Sequence, residues 1–173
     1  MEAFFVVKNY FISIQIIKVM RNLFIALVAL VFSVSAQAQI TSPAPSPSCT
    51  MMQQVGMCDI TLEYSRPSAK GRTIFAENGL VPFDKMWRTG ANKNTILTTS
   101  DLMIFGKDTL QAGKYAIFAK PMKGNDWEMY FYTDTENWGT PEKWDASKVA
   151  VKTMATSHLT KDVVESFTIS IDN

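Results

Sequence analysis

At 173 residues the chain is long enough for one domain with flanking segments and too short for two. Aromatic residues make up 12% of it, a content that excludes a disordered chain and suits a β-rich fold. Lys and Arg number 17 against 16 Asp and Glu, so no charge excess exists to recruit nucleic acid or an anionic membrane surface.

In chain order, residues 1–38 read as a signal peptide, outside the fold. Met20-Arg21 is a short positive head and Leu23 to Val34 an uncharged apolar run. Ala36-Gln37-Ala38 then supplies small residues before a cleavage site, giving Gln39 as the mature N-terminus. The run of 12 apolar residues is short of the roughly 20 that a membrane-spanning helix needs, so no transmembrane span is expected. A longer anchor built from Phe4 to Val34 would carry Lys18 and Arg21 into lipid at high cost. Counted from Met20 the signal has an ordinary length, so Met20 is expected to be the true start and residues 1–19 an over-called extension. The expected location is the periplasm or the outside of the cell.

Residues 39–48 form a Pro/Ser linker, with extended polyproline-like backbone as their natural state. The single domain is expected over residues 49–173, where apolar residues recur with period two. Cys49–Gln54 and Met57–Tyr64 suggest a tight hairpin around Val55-Gly56. Thr95–Ser100, Leu102–Phe105, Tyr115–Lys120, Trp127–Tyr132, Lys148–Thr156 and Val164–Ile171 are the further predicted strands. Gly106-Lys107-Asp108 and Lys123-Gly124-Asn125-Asp126 supply turns between them. Short strands at this spacing predict an all-β, antiparallel sandwich of jelly-roll or immunoglobulin-like type.

Arg66 to Asn92 breaks the pattern. So long a connection is uncommon in a compact domain unless it is functional or carries structure of its own. It mixes Arg66, Lys70, Arg72, Lys85 and Arg88 with Phe75, Phe83 and Trp87. Within it, Trp87-Arg88-Thr89-Gly90-Ala91-Asn92 sets a stacking ring beside a planar donor fork, a glycine that permits close approach, and an amide. That set suits a sugar or carboxylate ligand. An alternative stays open, with Trp87 in the core, Arg88 paired to Glu63 or Glu77, and Gly90 and Asn92 making a turn. Trp138 and Trp144 divide in the same way between platform and core.

Catalytic constellations are sparse. His158 is the one histidine and, with two cysteines, shows no metal-ligand spacing, so no metal and no cofactor are expected. Carboxylate chemistry would need two acids converging in a cleft, and Glu63, Glu77, Asp84 and Glu128 are candidates only by their presence. Cys49 and Cys58 would sit where disulfides persist, and closing so short a loop would constrain the unfolded chain by roughly 2–3 kcal/mol. Against pairing, a tight hairpin sets Cys49 opposite about Leu62, so a bond and two small core residues are both open.

Tyr64-Ser65-Arg66-Pro67, Lys70-Gly71-Arg72, Leu80-Val81-Pro82, Trp87-Arg88-Thr89-Gly90-Ala91-Asn92, Leu110-x-Ala112-Gly113-x-Tyr115 and Trp138-Gly139 together resemble an exported bacterial family known as domain of unknown function 2911. The similarity runs from about Pro47 to Asp172. It implies an exported β-sandwich-like domain and brings no activity, ligand or catalytic residue with it. Lys93 stands where the family motif usually has an acid and Phe83 where it usually has tyrosine. Members often continue by another strand or two, which leaves a C-terminal truncation open.

The residues point to a non-catalytic module for a small polar ligand or an envelope glycan, with Arg66, Arg72, Trp87, Arg88 and Asn92 lining its site. A structural or interaction domain of the envelope is the alternative, and a carboxylate-dependent hydrolase using Glu63 or Glu77 a weaker one.

Overall fold

The computed structural model describes residues 16–28, 42–124 and 126–171. Residues 16–28, which include Met20 and Arg21, form a helix whose side chains are all exposed. It belongs to a unit, Met1–Ser42, separate from Pro43–Asn173. No helix among the described residues is long and apolar enough to cross a membrane. The expected cleavage site at Ala38/Gln39 lies outside the described residues.

The second unit is all-β and sandwich-like. Its strands are β1 (Ser48–Val55), β2 (Cys58–Ser65), β3 (Phe75–Ala76), β4 (Val81–Pro82), β5 (Thr95–Thr99), β6 (Met103–Phe105), β7 (Asp108–Leu110), β8 (Gly113–Pro121), β9 (Asp126–Tyr132) and β10 (Val149–Thr156). Six of them form one antiparallel sheet in the order β1-β2-β5-β8-β9-β10. The pairs β3–β4, parallel, and β6–β7, antiparallel, stand apart from it.

The period-two pattern decides which side chain goes to which face of this sheet. Leu62 faces Leu97, Leu97 faces Tyr115, Ile117 faces Phe131 and Phe131 faces Val151 across successive ladders. These residues are the buried centre of the first face, with Ile60 and Leu110. The β6–β7 hairpin covers them through Met103 and Phe105, the latter's ring tilted against Phe131 with centres 4.6 Å apart. Ile169 and Ile171 cover the rest. On the opposite face Ala116, Phe118, Tyr130 and Tyr132 form a second cluster, capped by Trp144, Met86, Ile96 and Val149. Trp144 stacks on Tyr132 with ring centres 4.6 Å apart. Trp144 is thus a core residue, whereas Trp138 is exposed.

The last expected strand is a correction. Phe167, Ile169 and Ile171 do alternate with exposed Thr168 and Ser170, but Val164–Ile171 joins no ladder beyond an isolated Ser68–Ser166 bridge. The backbone bonds there are Ala69 N to Glu165 O at 2.8 Å and Phe167 N to Pro67 O at 2.9 Å, and side chains supply others. Arg66 donates from Nε to Phe167 O at 3.0 Å and from Nη2 to Thr168 Oγ1 at 2.8 Å. Tyr64 Oη accepts from Ile169 N at 3.1 Å. The segment is a strap pinned across the first face, and its alternation reports burial without reporting pairing.

The disulfide is also excluded by register. Cys49 pairs with Tyr64 and Cys58 with Val55, so the two thiols stand at opposite ends of the hairpin and both are free. Gly56 turns the hairpin with φ 63°, a conformation other residues adopt at a cost.

Candidate functional site

The irregular stretch between β2 and β5 is tied to the sheet edge by its backbone. Beyond the end of β5, Trp87 N donates to Ala119 O and Ala119 N to Trp87 O, both at 2.8 Å. Trp87 therefore extends the ladder beside β8 by one bridge, with Met86 on the second cluster and the Trp87 ring on the other side. That ring belongs to an edge-on aromatic row. Tyr64–Phe167, Phe167–Trp87, Trp87–Phe75 and Phe75–Trp127 have ring centres 5.7, 5.3, 5.5 and 4.6 Å apart. Such contacts each contribute about 0.5–1.5 kcal/mol beyond the area they bury.

After Trp87 the chain turns sharply. Thr89, Gly90 and Asn92 all have positive φ, at 52°, 151° and 58°. For a β-branched residue such as Thr89 this is a strained backbone, of a kind that persists only where the surroundings enforce it. Here Trp87 Nε1 donates to Gly90 O at 3.1 Å and the buried Thr95 hydroxyl donates to Thr89 O. Gly90 is required by space as well, since a β-carbon on it would lie 3.1 Å from Thr95 Oγ1 and 3.2 Å from Ser65 O.

This turn, the strap and the β3–β4 loop enclose a cavity of about 440 Å³. Phe75, Trp87, Phe167, Ile74 and Val81 give it apolar walls. Arg72, Arg88 and Glu165 bring charge to it, and Thr140 and Ser46 hydroxyls.

The five residues expected at a site separate here. Arg72, Trp87 and Arg88 line the cavity; Arg66 and Asn92 do not. Arg66 holds the strap, as described. Asn92 donates from Nδ2 to Ser46 O at 3.1 Å and to Ser65 Oγ at 3.4 Å, fastening the chain ahead of β1. The end of the expected linker is thereby part of the domain, and Pro47 O also accepts from Arg66 N at 2.9 Å. Arg72 is half committed, with Nε on Ala69 O at 2.9 Å and Nη2 on Ser68 O at 2.7 Å.

Arg88 differs from the others. It is half-buried, and no hydrogen-bond acceptor or ion-pair partner meets it among the described residues. The partners the sequence offered are elsewhere. Glu77 pairs with Lys123 at 2.5 Å, and Glu63 is exposed on β2. Neither acid lines the cavity, nor do Asp84 and Glu128, so no two carboxylates converge there. Among the described residues, no group of three His, Cys, Asp or Glu side chains is placed to hold a metal ion.

Sequence reasoning missed Glu165, Phe167 and Thr140. They lie 68 or more residues from Arg72 and enter through the strap and the loop after β9. Gly139 is the one local signal. It packs against the Arg88 guanidinium, and the Trp138-Gly139 pair stands out in the sequence.

Away from the cavity, Glu128 is held by three donors. Lys120 Nζ and Tyr130 Oη lie 2.7 Å from Oε2, and Lys152 Nζ lies 2.5 Å from Oε1. The hydrogen bonds from Lys120, then Lys152 and Tyr130, lower its pKa from the ordinary 4.5 to about 2. All its charges are internally satisfied, which suits a clasp between β8, β9 and β10 and leaves nothing for a ligand. A second, polar recess of about 450 Å³ near Trp144 contains the ion pair of Lys148 with Asp134 at 2.5 Å and is also lined by Lys143.

The chain belongs to the family described as Protein of unknown function (DUF2911), whose model matches residues 46–173. No curated protein and no solved structure matches it.

Proposed function

We propose that this protein is an exported, non-catalytic binding module that takes a small polar ligand or a terminal unit of an envelope glycan into the cavity beside Trp87. The observation that carries the reading is Arg88, a half-buried guanidinium lining a cavity of about 440 Å³ with no protein acceptor among the described residues. Cavities of that size are typical of small-molecule sites, which combine apolar walls with a few placed polar groups. Leaving a partly desolvated cation unpaired costs free energy that a ligand acceptor recovers. Export rests on the positive head, apolar run and small-residue cleavage motif that end at Ala38, with Gln39 leading the processed chain.

A second reading has support of its own. Arg66 and Asn92 are spent on internal partners, as a purely structural domain of the envelope would have them. One variant separates the two readings. Saturation-transfer NMR with small polar compounds and oligosaccharides is run on the wild type and on Arg88→Ala, with melting measured on both. Binding that Arg88→Ala abolishes at unchanged melting supports the module. A lowered melting temperature with no compound bound by the wild type supports the structural domain. N-terminal sequencing of the processed protein tests export, with Gln39 as the expected first residue.

A further inference from the structure

We infer that the ligand of this cavity is a small organic monocarboxylate with an apolar, ring-sized body, anchored by its carboxylate on Arg88; the inference rests on the binding reading above. Four features select this class.

The first is the donor. A guanidinium presents a planar fork that matches a carboxylate with two parallel hydrogen bonds, and such charge-assisted pairs are roughly twice as strong as neutral ones. Arg88 offers that fork uncommitted. Arg72 has given Nε and Nη2 to Ala69 O and Ser68 O and keeps only Nη1.

The second is the charge balance of the lining. Arg72 and Arg88 are accompanied by Glu165, whose Oε1 accepts from Lys70 N at 2.8 Å. One carboxylate on the ligand fits this balance. A dianionic phosphate would bring a second negative charge to a lining that already holds one, with a single free fork to meet it.

The third is the wall. Phe75, Trp87 and Phe167 belong to one continuous aromatic row, and Ile74 and Val81 extend the apolar surface. A neutral sugar would leave much of that surface against hydroxyls, whereas an aryl or branched alkyl body would bury it at about 25 cal/mol per Å².

The fourth is rigidity. The strained Thr89, the Thr95–Thr89 hydrogen bond and the contact of Arg88 with Gly139 hold the guanidinium before any ligand arrives. An anchor set in advance spares the ligand the cost of ordering it.

Calorimetric titration of the full-length protein with arylalkyl carboxylates, their primary amides, the matching aryl phosphates and neutral disaccharides tests the class. Carboxylates are expected to bind at least tenfold more tightly than their amides and than the phosphates. Arg88→Lys, which keeps the charge and loses the fork, is expected to weaken them about tenfold at unchanged melting. Glu165→Gln is expected to narrow the gap between carboxylate and phosphate. Disaccharides that bind in an Arg88-dependent way while carboxylates do not would overturn the class and leave the binding reading standing. Carboxylates that bind as tightly to Arg88→Ala as to wild type would overturn the anchor. No binding by any probe at millimolar concentration, with the wild type folded, would remove class and reading together.

Discussion

The α-carbon of Gly139 lies against the guanidinium of Arg88, so closely that a β-carbon on Gly139 would stand 2.5 Å from Arg88 Nη1. Gly139 also has φ 78°, which a side chain occupies only with strain. Gly139→Ala is therefore expected to cost about 1–2 kcal/mol of stability. It is also expected to move the Arg88 fork and so weaken binding further than the stability loss explains. Urea denaturation and titration on the same variant measure the two effects, and a variant with wild-type affinity would show that Arg88 is not held from this side.

Thr89 gives the opposite expectation. Its φ of 52° is strained, and its buried hydroxyl has no hydrogen-bond partner among the described residues. Thr89→Gly relieves both and is expected to raise stability by about 1 kcal/mol. Because the turn that aims Arg88 becomes softer, affinity is expected to fall as stability rises. A lower urea midpoint in Thr89→Gly would mean that the threonine methyl packs better than its backbone is strained.

The strap is held largely by side chains, beside the backbone bonds from Ala69 N to Glu165 O and from Phe167 N to Pro67 O, so its release is expected to leave the sheet folded. Arg66→Ala deletes the bonds to Phe167 O and Thr168 Oγ1, at an expected cost of about 1–3 kcal/mol. Limited proteolysis is expected to cut such a variant first within residues 164–171, before any cut in β2 or β8. Cleavage elsewhere first would show that the strap is anchored mainly by Phe167, Ile169 and Ile171.

Glu128 sets an acid limit. Its folded pKa, at about 2, lies below its ordinary 4.5 because Lys120 foremost, then Lys152 and Tyr130, bond to the ionised form. A depressed carboxylate pKa gives stability that is complete above the unfolded value and is lost as pH falls toward the folded one. Wild-type stability is thus expected to drop between pH 4.5 and about 2 through this group, and Glu128→Gln to flatten that drop. Denaturation midpoints across this window in both proteins decide it.

Register predicts the state of the thiols. Cys49 and Cys58 stand opposite Tyr64 and Val55, so two free thiols per chain are expected in non-reducing buffer after denaturation. A titration that finds none would require the first hairpin to pair differently.

The strands were largely legible because burial of one sheet face writes itself into alternate residues, as in Ile60-Thr61-Leu62. What alternation does not carry is the identity of the partner. It therefore marked Val164–Ile171 as a strand, where one isolated bridge and the side chains of Arg66 and Tyr64 supply the bonds. The candidate site was half legible for a related reason. Trp87, Arg88 and Arg72 are neighbours along the chain, and their residue types announce recognition. Whether Asn92 and Arg66 are free depends on contacts 27 to 102 residues away, Asn92 with Ser65 and Arg66 with Thr168, and no local pattern records those.

The two aromatic groups give the protein a pair of optical reporters insulated from each other by the sheet. On β9, Trp127 projects to one side and Tyr130 and Tyr132 to the other, so the Trp87 row and the Trp144 stack share no ring. Emission from Trp87 should respond to whatever enters the cavity, while Trp144 should stay dark to it and register only the opening of the opposite layer. Variants that keep Trp87 alone or Trp144 alone would thus let occupancy and unfolding be watched separately, one in each protein.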